Sequence, residues 1–176
     1  FRSFSVSGEG KVVVSPDIAT FTYSVITEGG SDLSALMTQN DAKGKKAIDF
    51  VKAQGIKAED IKTEHFGVEP RYQYANCGGL NGGVCPPPTI VGYTVRQTVS
   101  VKIRKDNFGK VGTLLSGVVG AGANSVSQIA FTLDDPAKAE SEARTKAFAQ
   151  AREKADALAS AGKFGIGRLL NVSEGG

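Results

Sequence analysis

The stretch of sequence that decides the fold is VSGEGKVVVSPDIAT, residues 6–20. Two β-branched runs flank a Gly-Glu-Gly step and a Ser-Pro-Asp turn, a pattern that indicates two neighbouring strands with a bulge in the first. The apolar side chains share one face of each predicted strand: Phe4, Val6, Val12 and Val14 in the first, and Ala19, Phe21, Tyr23 and Val25 in the second. Such patterning is typical of an antiparallel pair with one buried face.

Three segments with apolar residues at three- and four-residue steps predict helices. Their boundaries are set by capping and stop signals: Ser31 or Asp32 to Gly55 for the first, Asp106 to 120–122 for the second, and Asp135-Pro136 to about Ala161 for the third. The first helix carries Asn40 on its apolar stripe, and we interpret it as a buried amide bonded to nearby backbone.

Alternating segments predict the remaining strands, with Ile129, Phe131 and Leu133 inward in one and residues 166–172 forming the last. A long central hairpin spans about 61–104, with Phe66 and Val68 on one face of its first arm and Thr63 and His65 on the other. The predicted order is β-β-α-β-β-α-β-α-β. This order favours an α+β fold, with a mixed, largely antiparallel sheet and three helices in one domain, 1–176.

The composition is that of a globular protein, with 40% hydrophobic and 22% charged residues among 176. The net charge is +3, and the 21 basic residues are dispersed among 18 acids, which argues against a nucleic-acid partner. No apolar run is long enough for a transmembrane segment. The chain starts at Phe1 and its single methionine is Met37, so we expect a removed leader, which would mean export, or a trimmed chain.

The two cysteines, Cys77 and Cys85, flank a segment with four glycines and are followed by three prolines. Glycines allow the turn that a local disulfide requires. A zinc site is short of ligands, because His65 is the single histidine, and the spacing is not that of a Cys-x-x-Cys redox pair. We therefore predict a Cys77–Cys85 disulfide in an oxidising compartment.

Catalytic motifs are missing from the sequence. It has no nucleophile elbow, no His-Glu-x-x-His and no phosphate-binding loop. We expect no catalytic residues, no metal site and no cofactor, and we predict that the protein is not an enzyme. Catalysis by two carboxylates stays open, because the spatial pairing of carboxylates is invisible in a sequence.

A stripe of basic residues lies on the central hairpin. Arg96, Lys102 and Arg104 occupy alternate positions of one predicted strand, and Arg71 lies in the other arm. Side chains at such positions share a face and can meet phosphate or carboxylate groups. The polar outer face of an antiparallel sheet has the same pattern, and we favour that interpretation.

Motifs in a fixed order along the chain resemble the SIMPL domain family, also called DUF541. They are the opening Gly-Glu-Gly strand, Gly55-Ile56 with Asp60-Ile61-Lys62-Thr63, Val91-Gly92-Tyr93, Gly120-Ala121-Gly122-Ala123-Asn124, and the alanine-rich last helix. The resemblance implies a periplasmic or outer-membrane-associated bacterial protein, in a family with some links to oxidative-stress tolerance. It supplies no catalytic residues.

The sequence leaves three candidate functions. The leading one is a non-enzymatic envelope protein acting through binding or self-assembly, with an envelope protein or copies of itself as partner. We expect a homo-oligomer because the long hairpin and an open sheet edge offer surfaces for pairing. A binder of an anionic ligand on the basic stripe is the alternative, and a carboxylate hydrolase comes third.

Overall fold

The structure, a computed structural model, describes residues 3–76 and 85–175. Within these ranges the chain forms two compact units. We call them the sheet unit, residues 16–76 and 85–132, and the helical unit, residues 3–15 and 133–175. That residues 1–176 make one domain stays a prediction.

The sheet unit supplies most of the regular structure. Its elements are β1 (Ile18–Gly29), α1 (Leu33–Ala53), β2 (Ile61–Gln73), β3 (Thr89–Arg104), α2 (Val111–Ala121), β4 (Ser125–Val126) and β5 (Ala130–Thr132). Short 3-10 turns at Ala58–Asp60 and Lys105–Lys110 precede β2 and α2. The helical unit contains α3 (Ala137–Gly162).

All strand pairs are antiparallel, in the order β2-β3-β1-β4, and β5 also pairs with β1. The strands β2 and β3 form the predicted long hairpin. Strand β1 lies beside β3 from Ile18, opposite Arg104, to Gly29, opposite Tyr93. Three helices and this antiparallel sheet, as far as the structure describes the chain, confirm the α+β class.

One face of β1 and β3 forms the core with α1 and α2. The fully buried side chains are Phe21, Tyr23 and Val25 of β1, Val99, Val101 and Ile103 of β3, Val51 of α1, and Leu114 and Val118 of α2. Burying a side chain of this size contributes about 1.5–3 kcal/mol. This layer therefore holds the helices on the sheet, and the predicted inward faces of both strands are confirmed.

Both ends of α1 are as predicted. The Asp32 carboxylate accepts a hydrogen bond from the backbone N–H of Ala35 at 3.0 Å, which caps the first turn. The helix ends at Ala53, and Gly55 has φ +88°, a conformation that favours glycine.

The predicted start of the second helix at Asp106 is wrong. Residues Lys105–Lys110 form a 3-10 turn, and α2 begins at Val111 without a side-chain cap. Asn107 and Gly109 are weak helix formers, and tighter i→i+3 bonds commonly replace α-helical ones at helix ends. The end of α2 is as predicted, because Gly122 follows it with φ +128°.

Side chains complete the edge of β1 that β4 and β5 leave partly uncovered. The Asn124 amide accepts from the Ile26 N–H at 2.9 Å and donates to the Ile26 carbonyl at 2.7 Å. The Ser127 hydroxyl accepts from the Thr22 N–H at 2.8 Å. Side chains of this loop thus provide hydrogen bonds that a neighbouring strand would otherwise provide. The strand predicted around Phe131 is limited to the three residues of β5. There Phe131 packs edge-on against Phe108 but is 53% exposed, so the prediction that it is buried is wrong, because a three-residue edge strand covers little of its ring.

The predicted first strand, Phe4 to Val14, is not a strand. Its alternation is nevertheless present, because Val6, Gly8, Gly10 and Val12 are half-buried and their odd-numbered neighbours are exposed. Residues 3–15, which we call the N-terminal segment, contact α3, and the helical unit itself contains no strand beside them among its described residues. A strand ladder needs such a neighbour.

The predicted last strand, residues 166–172, is likewise wrong, since no regular element follows α3. Side-chain contacts within the helical unit fix the residues after α3 instead. The Phe164 ring packs edge-on against Phe4 with the ring centroids 5.3 Å apart. Arg144 Nε lies 2.8 Å from the Glu174 carboxylate. These contacts need no backbone pairing, which is why alternation alone misidentified the segment.

Candidate functional site

The basic stripe lies on the face of the sheet opposite the core. Arg96, Lys102 and Arg104 alternate with the buried positions of β3, and Arg71 of β2 lies opposite Gly92 of β3. From Arg96 to Arg104 the strand advances by about 27 Å, at roughly 3.4 Å per residue. These side chains share a face, but they do not converge on one point.

Arg104 forms a bidentate ion pair with Asp60. Its Nε and Nη2 donate to the two carboxylate oxygens of Asp60, both at 2.8 Å, and Glu59 lies 3.8 Å from the same Nη2. Asp60 is 6% exposed, and a buried carboxylate is costly unless paired. The main role of Arg104 is therefore to balance Asp60 and tie the turn Ala58–Asp60 to β3.

The other members of the stripe have separate surroundings. Arg71 Nη1 lies 3.9 Å from the Glu28 carboxylate, an exposed and hence weak pair. Lys102 also takes part in an interaction within the structure. Arg96 is exposed, between Ile26 of β1 and Gly67 of β2 in register. The structure thus gives the four cations different environments, and anion binding by the stripe stays a prediction.

A small polar cleft lies beside the Arg104–Asp60 pair. It has a volume of about 160 Å³ and is lined by Gly55, Ile56, Lys57, Asp60, Lys102, Arg104, Asp106 and Asn107. Ligand pockets usually measure about 300–1,000 Å³. Two carboxylates line the cleft, but both oxygens of Asp60 already accept hydrogen bonds from Arg104. The cleft suits a small ion or a few waters better than an organic substrate.

Candidate metal ligands and cysteines can be located only among the residues that the structure describes. There, no group of three or more His, Cys, Asp or Glu side chains is close enough to hold a metal ion. Cys77 lies outside these residues, so the Cys77–Cys85 disulfide stays a prediction. His65 lies opposite Thr98 on the outer face, as predicted, but an irregularity in β2 places Thr63 opposite Val99 on the core face. Thr63 and His65 therefore do not share a face, contrary to the prediction.

Asn40 of α1 is fully buried, as its position on the apolar stripe predicts. Its Nδ2 donates to the carbonyl oxygens of Val25 and Val95 at 2.9 and 3.1 Å and to the Thr27 hydroxyl at 3.1 Å. One amide thus links α1 to both β1 and β3. This arrangement is structural, and the interpretation as a buried amide bonded to backbone is confirmed.

Tyr23 was assigned to the core from the sequence, but its hydroxyl gives the core an unusual feature. The hydroxyl is buried and has no hydrogen-bond partner among the described groups, and burial raises the pKa of Tyr23 to about 12. A phenol held neutral in this way is a poor general base near pH 7. Alternation identified the buried ring, and nothing in the sequence signals the unpaired hydroxyl.

The ribbon at the end of the hairpin carries exposed apolar side chains. We define the ribbon as residues 71–76 and 85–92, which comprise the parts of β2 and β3 beyond the end of β1 and the described residues that adjoin them. Tyr72 and Ile90 lie opposite each other and are about half exposed, Val91 is similar, and Tyr74 is 75% exposed. Sequence reasoning predicted the hairpin but did not identify these residues as a group.

The fold and these sites define an α+β protein whose polar clusters are mainly structural and whose hairpin ribbon carries several exposed apolar side chains. The chain belongs to the SIMPL family, described as a protein of unknown function (DUF541), whose family model matches residues 4–176. Within the described residues, no helix is both long and apolar enough to cross a membrane.

Relatives of known name share this domain. A 26 kDa periplasmic immunogenic protein of Brucella melitensis is 32% identical over 170 residues, which are 97% of this chain and 65% of the relative. Uncharacterized proteins named YggE are 28% identical in Edwardsiella ictaluri and 26% identical in Escherichia coli K12, each over 94% of this chain. The chain spans 63–65% of the length of these relatives.

Proposed function

We propose that this protein is a non-enzymatic component of the bacterial cell envelope that acts by binding or self-assembly through the hairpin ribbon. The observation that carries the proposal is the exposure of four apolar side chains on the ribbon, namely Tyr72, Tyr74, Ile90 and Val91. Grouped exposed apolar side chains mark interaction sites more often than isolated ones do.

The location of the protein is part of the proposal. Periplasm is the compartment in the name of the Brucella relative, and the predicted disulfide suits an oxidising compartment. We therefore propose a periplasmic protein, with outer-membrane association as the finer alternative. Osmotic-shock fractionation of the producing cells tests this, because a cytoplasmic pool would contradict it and recovery with outer-membrane vesicles would favour the finer alternative.

The proposal that it is not an enzyme is supported at the cleft beside Arg104, where the volume is about 160 Å³ and both oxygens of Asp60 already accept hydrogen bonds. A link to oxidative-stress tolerance would then operate through binding rather than turnover. Activity on a broad hydrolase panel that disappears with a chelator, or with a serine or cysteine reagent, would contradict the proposal.

Self-assembly is tested by size exclusion coupled to light scattering on the full chain from about 1 to 100 µM. We expect species heavier than the 18.3 kDa monomer and a shift towards that mass in the ribbon double variant Tyr72→Ser, Ile90→Thr. Val119→Thr is the matched control, because Val119 is a similarly exposed apolar residue on α2. A mass of 18.3 kDa at every concentration would refute self-assembly.

A further inference from the structure

The ribbon lies within a long uncharged part of the sequence. No charged residue occurs between Arg71 and Arg96, although 22% of the whole chain is charged. Residues 111–133 form an uncharged stretch of similar length, but it contains α2, whose Leu114 and Val118 are fully buried in the core. The apolar side chains of the ribbon are instead exposed, so burial in the core does not explain the lack of charge there.

The ribbon occupies one end of the sheet unit. Strand β1 runs beside β3 from Ile18 to Gly29, and the ribbon continues β2 and β3 beyond Gly29. The chain enters and leaves this unit at Pro16 and Thr132, and Thr132 pairs with Ile18 at the other end of β1. Along the strands, the ribbon is therefore the end of the unit away from both chain connections.

The exposed side chains of the ribbon suit the boundary between a lipid bilayer and water. A tyrosine has an apolar ring and a polar hydroxyl, and tyrosines are enriched where a membrane meets water. Tyr72 lies opposite the aliphatic Ile90, and Tyr74 and Val91 are close to them along the two strands. Charged side chains are the most costly to transfer into a bilayer, and the sequence has none in this stretch.

The backbone of the ribbon sets how deeply it can insert. Beyond Gly29 the described sheet unit continues as β2 and β3 alone, and a two-stranded ribbon pairs only one edge of each strand. Unpaired backbone groups are not tolerated in hydrocarbon, but they are satisfied by water and headgroups at the interface. Residues 86–88 are prolines and have no N–H to satisfy. The ribbon is therefore suited to the interfacial layer of a bilayer and not to its centre.

Arginines bound the uncharged stretch on both sides. Arg71 begins the ribbon, and its Nη1 lies 3.9 Å from the exposed Glu28 carboxylate, a weak pair that a lipid phosphate can replace. Arg96 follows the stretch on β3 and is exposed. A guanidinium binds phosphate oxygens well, and basic residues beside an inserted segment are attracted to anionic lipids. The charges next to the ribbon thus complement an anionic membrane surface.

We propose that the ribbon binds the interfacial layer of a lipid bilayer that contains anionic lipids. Its four exposed apolar side chains lie among the headgroups and the first acyl carbons, and Arg71 contacts the lipid phosphates. The inference rests on the binding part of the proposed function and names a lipid surface as the partner. A protein partner is less well matched, because protein interfaces surround their apolar centre with a polar and charged rim.

A tryptophan reporter tests insertion directly, because the chain contains no tryptophan. We expect the emission of Tyr74→Trp to shift to shorter wavelength on addition of vesicles of phosphatidylcholine and phosphatidylglycerol. Lipids brominated on the acyl chains close to the headgroup should quench it. Val119→Trp is the matched control, since Val119 is a similarly exposed apolar residue on α2, and its emission should not respond. An equal response at both positions, or none at residue 74, would overturn the proposal.

Vesicle flotation measures the strength of binding. The double variant Tyr72→Ser, Ile90→Thr should bind the same vesicles roughly tenfold more weakly, because binding at an interface scales with the apolar area buried. Val119→Thr should bind like the unmodified protein. Arg71→Gln should bind severalfold more weakly to these vesicles and unchanged to phosphatidylcholine alone. Unchanged binding of the double variant would refute insertion of the ribbon.

The outcomes separate this inference from the proposed function. If the ribbon double variant weakens self-assembly but the unmodified protein does not bind vesicles, the lipid inference is refuted and the proposed function stands. If the ribbon binds vesicles and the protein is a monomer in solution, the lipid inference is supported and only self-assembly fails. If the protein neither assembles nor binds vesicles, both fail.

Discussion

Replacing Asn40 by alanine tests the account of how α1 is fixed on the sheet. The change removes a side chain that donates to Val25, Thr27 and Val95, and it leaves a small cavity in a fully buried position. Two N–H groups serve three acceptors, so at most two full hydrogen bonds are lost, at about 1 kcal/mol each. With the cavity, we expect the free energy of unfolding to fall by about 2–3 kcal/mol.

Urea unfolding followed by far-ultraviolet circular dichroism measures this loss. With a slope of about 1–3 kcal/mol per molar urea, a loss of about 2–3 kcal/mol should move the midpoint down by roughly 0.7–3 M. Asn107→Ala is the control, because the Asn107 side chain makes no hydrogen bond in the described structure, and it should shift the free energy of unfolding by less than about 0.5 kcal/mol. A loss below about 1 kcal/mol for Asn40→Ala would show that the amide is not holding the helix.

Asn40→Asp sharpens the test, because an ionised carboxylate has the same shape but cannot donate. It would face two carbonyl oxygens and a hydroxyl, so its folded-state pKa should lie above the unfolded value of about 3.9. For an acid with a raised pKa in the folded state, stability falls as the pH rises above the unfolded pKa. This variant should therefore be less stable than Asn40→Ala at pH 7 and regain stability towards pH 4. A flat pH profile would contradict the assigned donor role.

Two further outcomes follow from the polar groups of the sheet unit. Arg104→Gln leaves the buried carboxylate of Asp60 unpaired and should lower the free energy of unfolding in urea by about 2–3 kcal/mol. Arg71→Gln breaks an exposed pair and should lower it by less than about 0.5 kcal/mol. Equal losses for the two variants would contradict the structural role of Arg104. Tyr23→Phe removes an unpaired hydroxyl and should leave stability at pH 7 unchanged or higher. Because the pKa of Tyr23 is raised to about 12 from an ordinary value of 10.0, the unmodified protein should lose stability between pH 10 and 12, and the variant should lose less.

The sequence predicted those features that depend on burial periodicity. Alternation in β1 and β3 identified the buried faces, because a two-residue period reports which side of an extended chain meets the core. The position of Asn40 on an apolar stripe predicted its burial for the same reason. Such patterns predict which side chains are buried, and the structure confirms the burial of these side chains.

Sequence periodicity did not predict which structural element packs against a segment. Residues 4–14 alternate because one side faces α3, and this pattern is the same as that of a strand in a sheet. The basic stripe illustrates the same limit. Its members share a face, as predicted, but the acids that pair with Arg71 and Arg104 come from β1 and from the turn Ala58–Asp60, which strand alternation does not reveal.

The backbone edge of β2 that β3 does not cover bears on assembly. The outer edge of β2 includes Pro70, which has no N–H to donate, and an irregularity between Thr63 and His65. Both features discourage strand addition. Because proline and the irregularity block this edge, self-assembly through the hairpin should use the exposed side chains of the ribbon rather than strand addition along β2, and the ribbon double variant should weaken it.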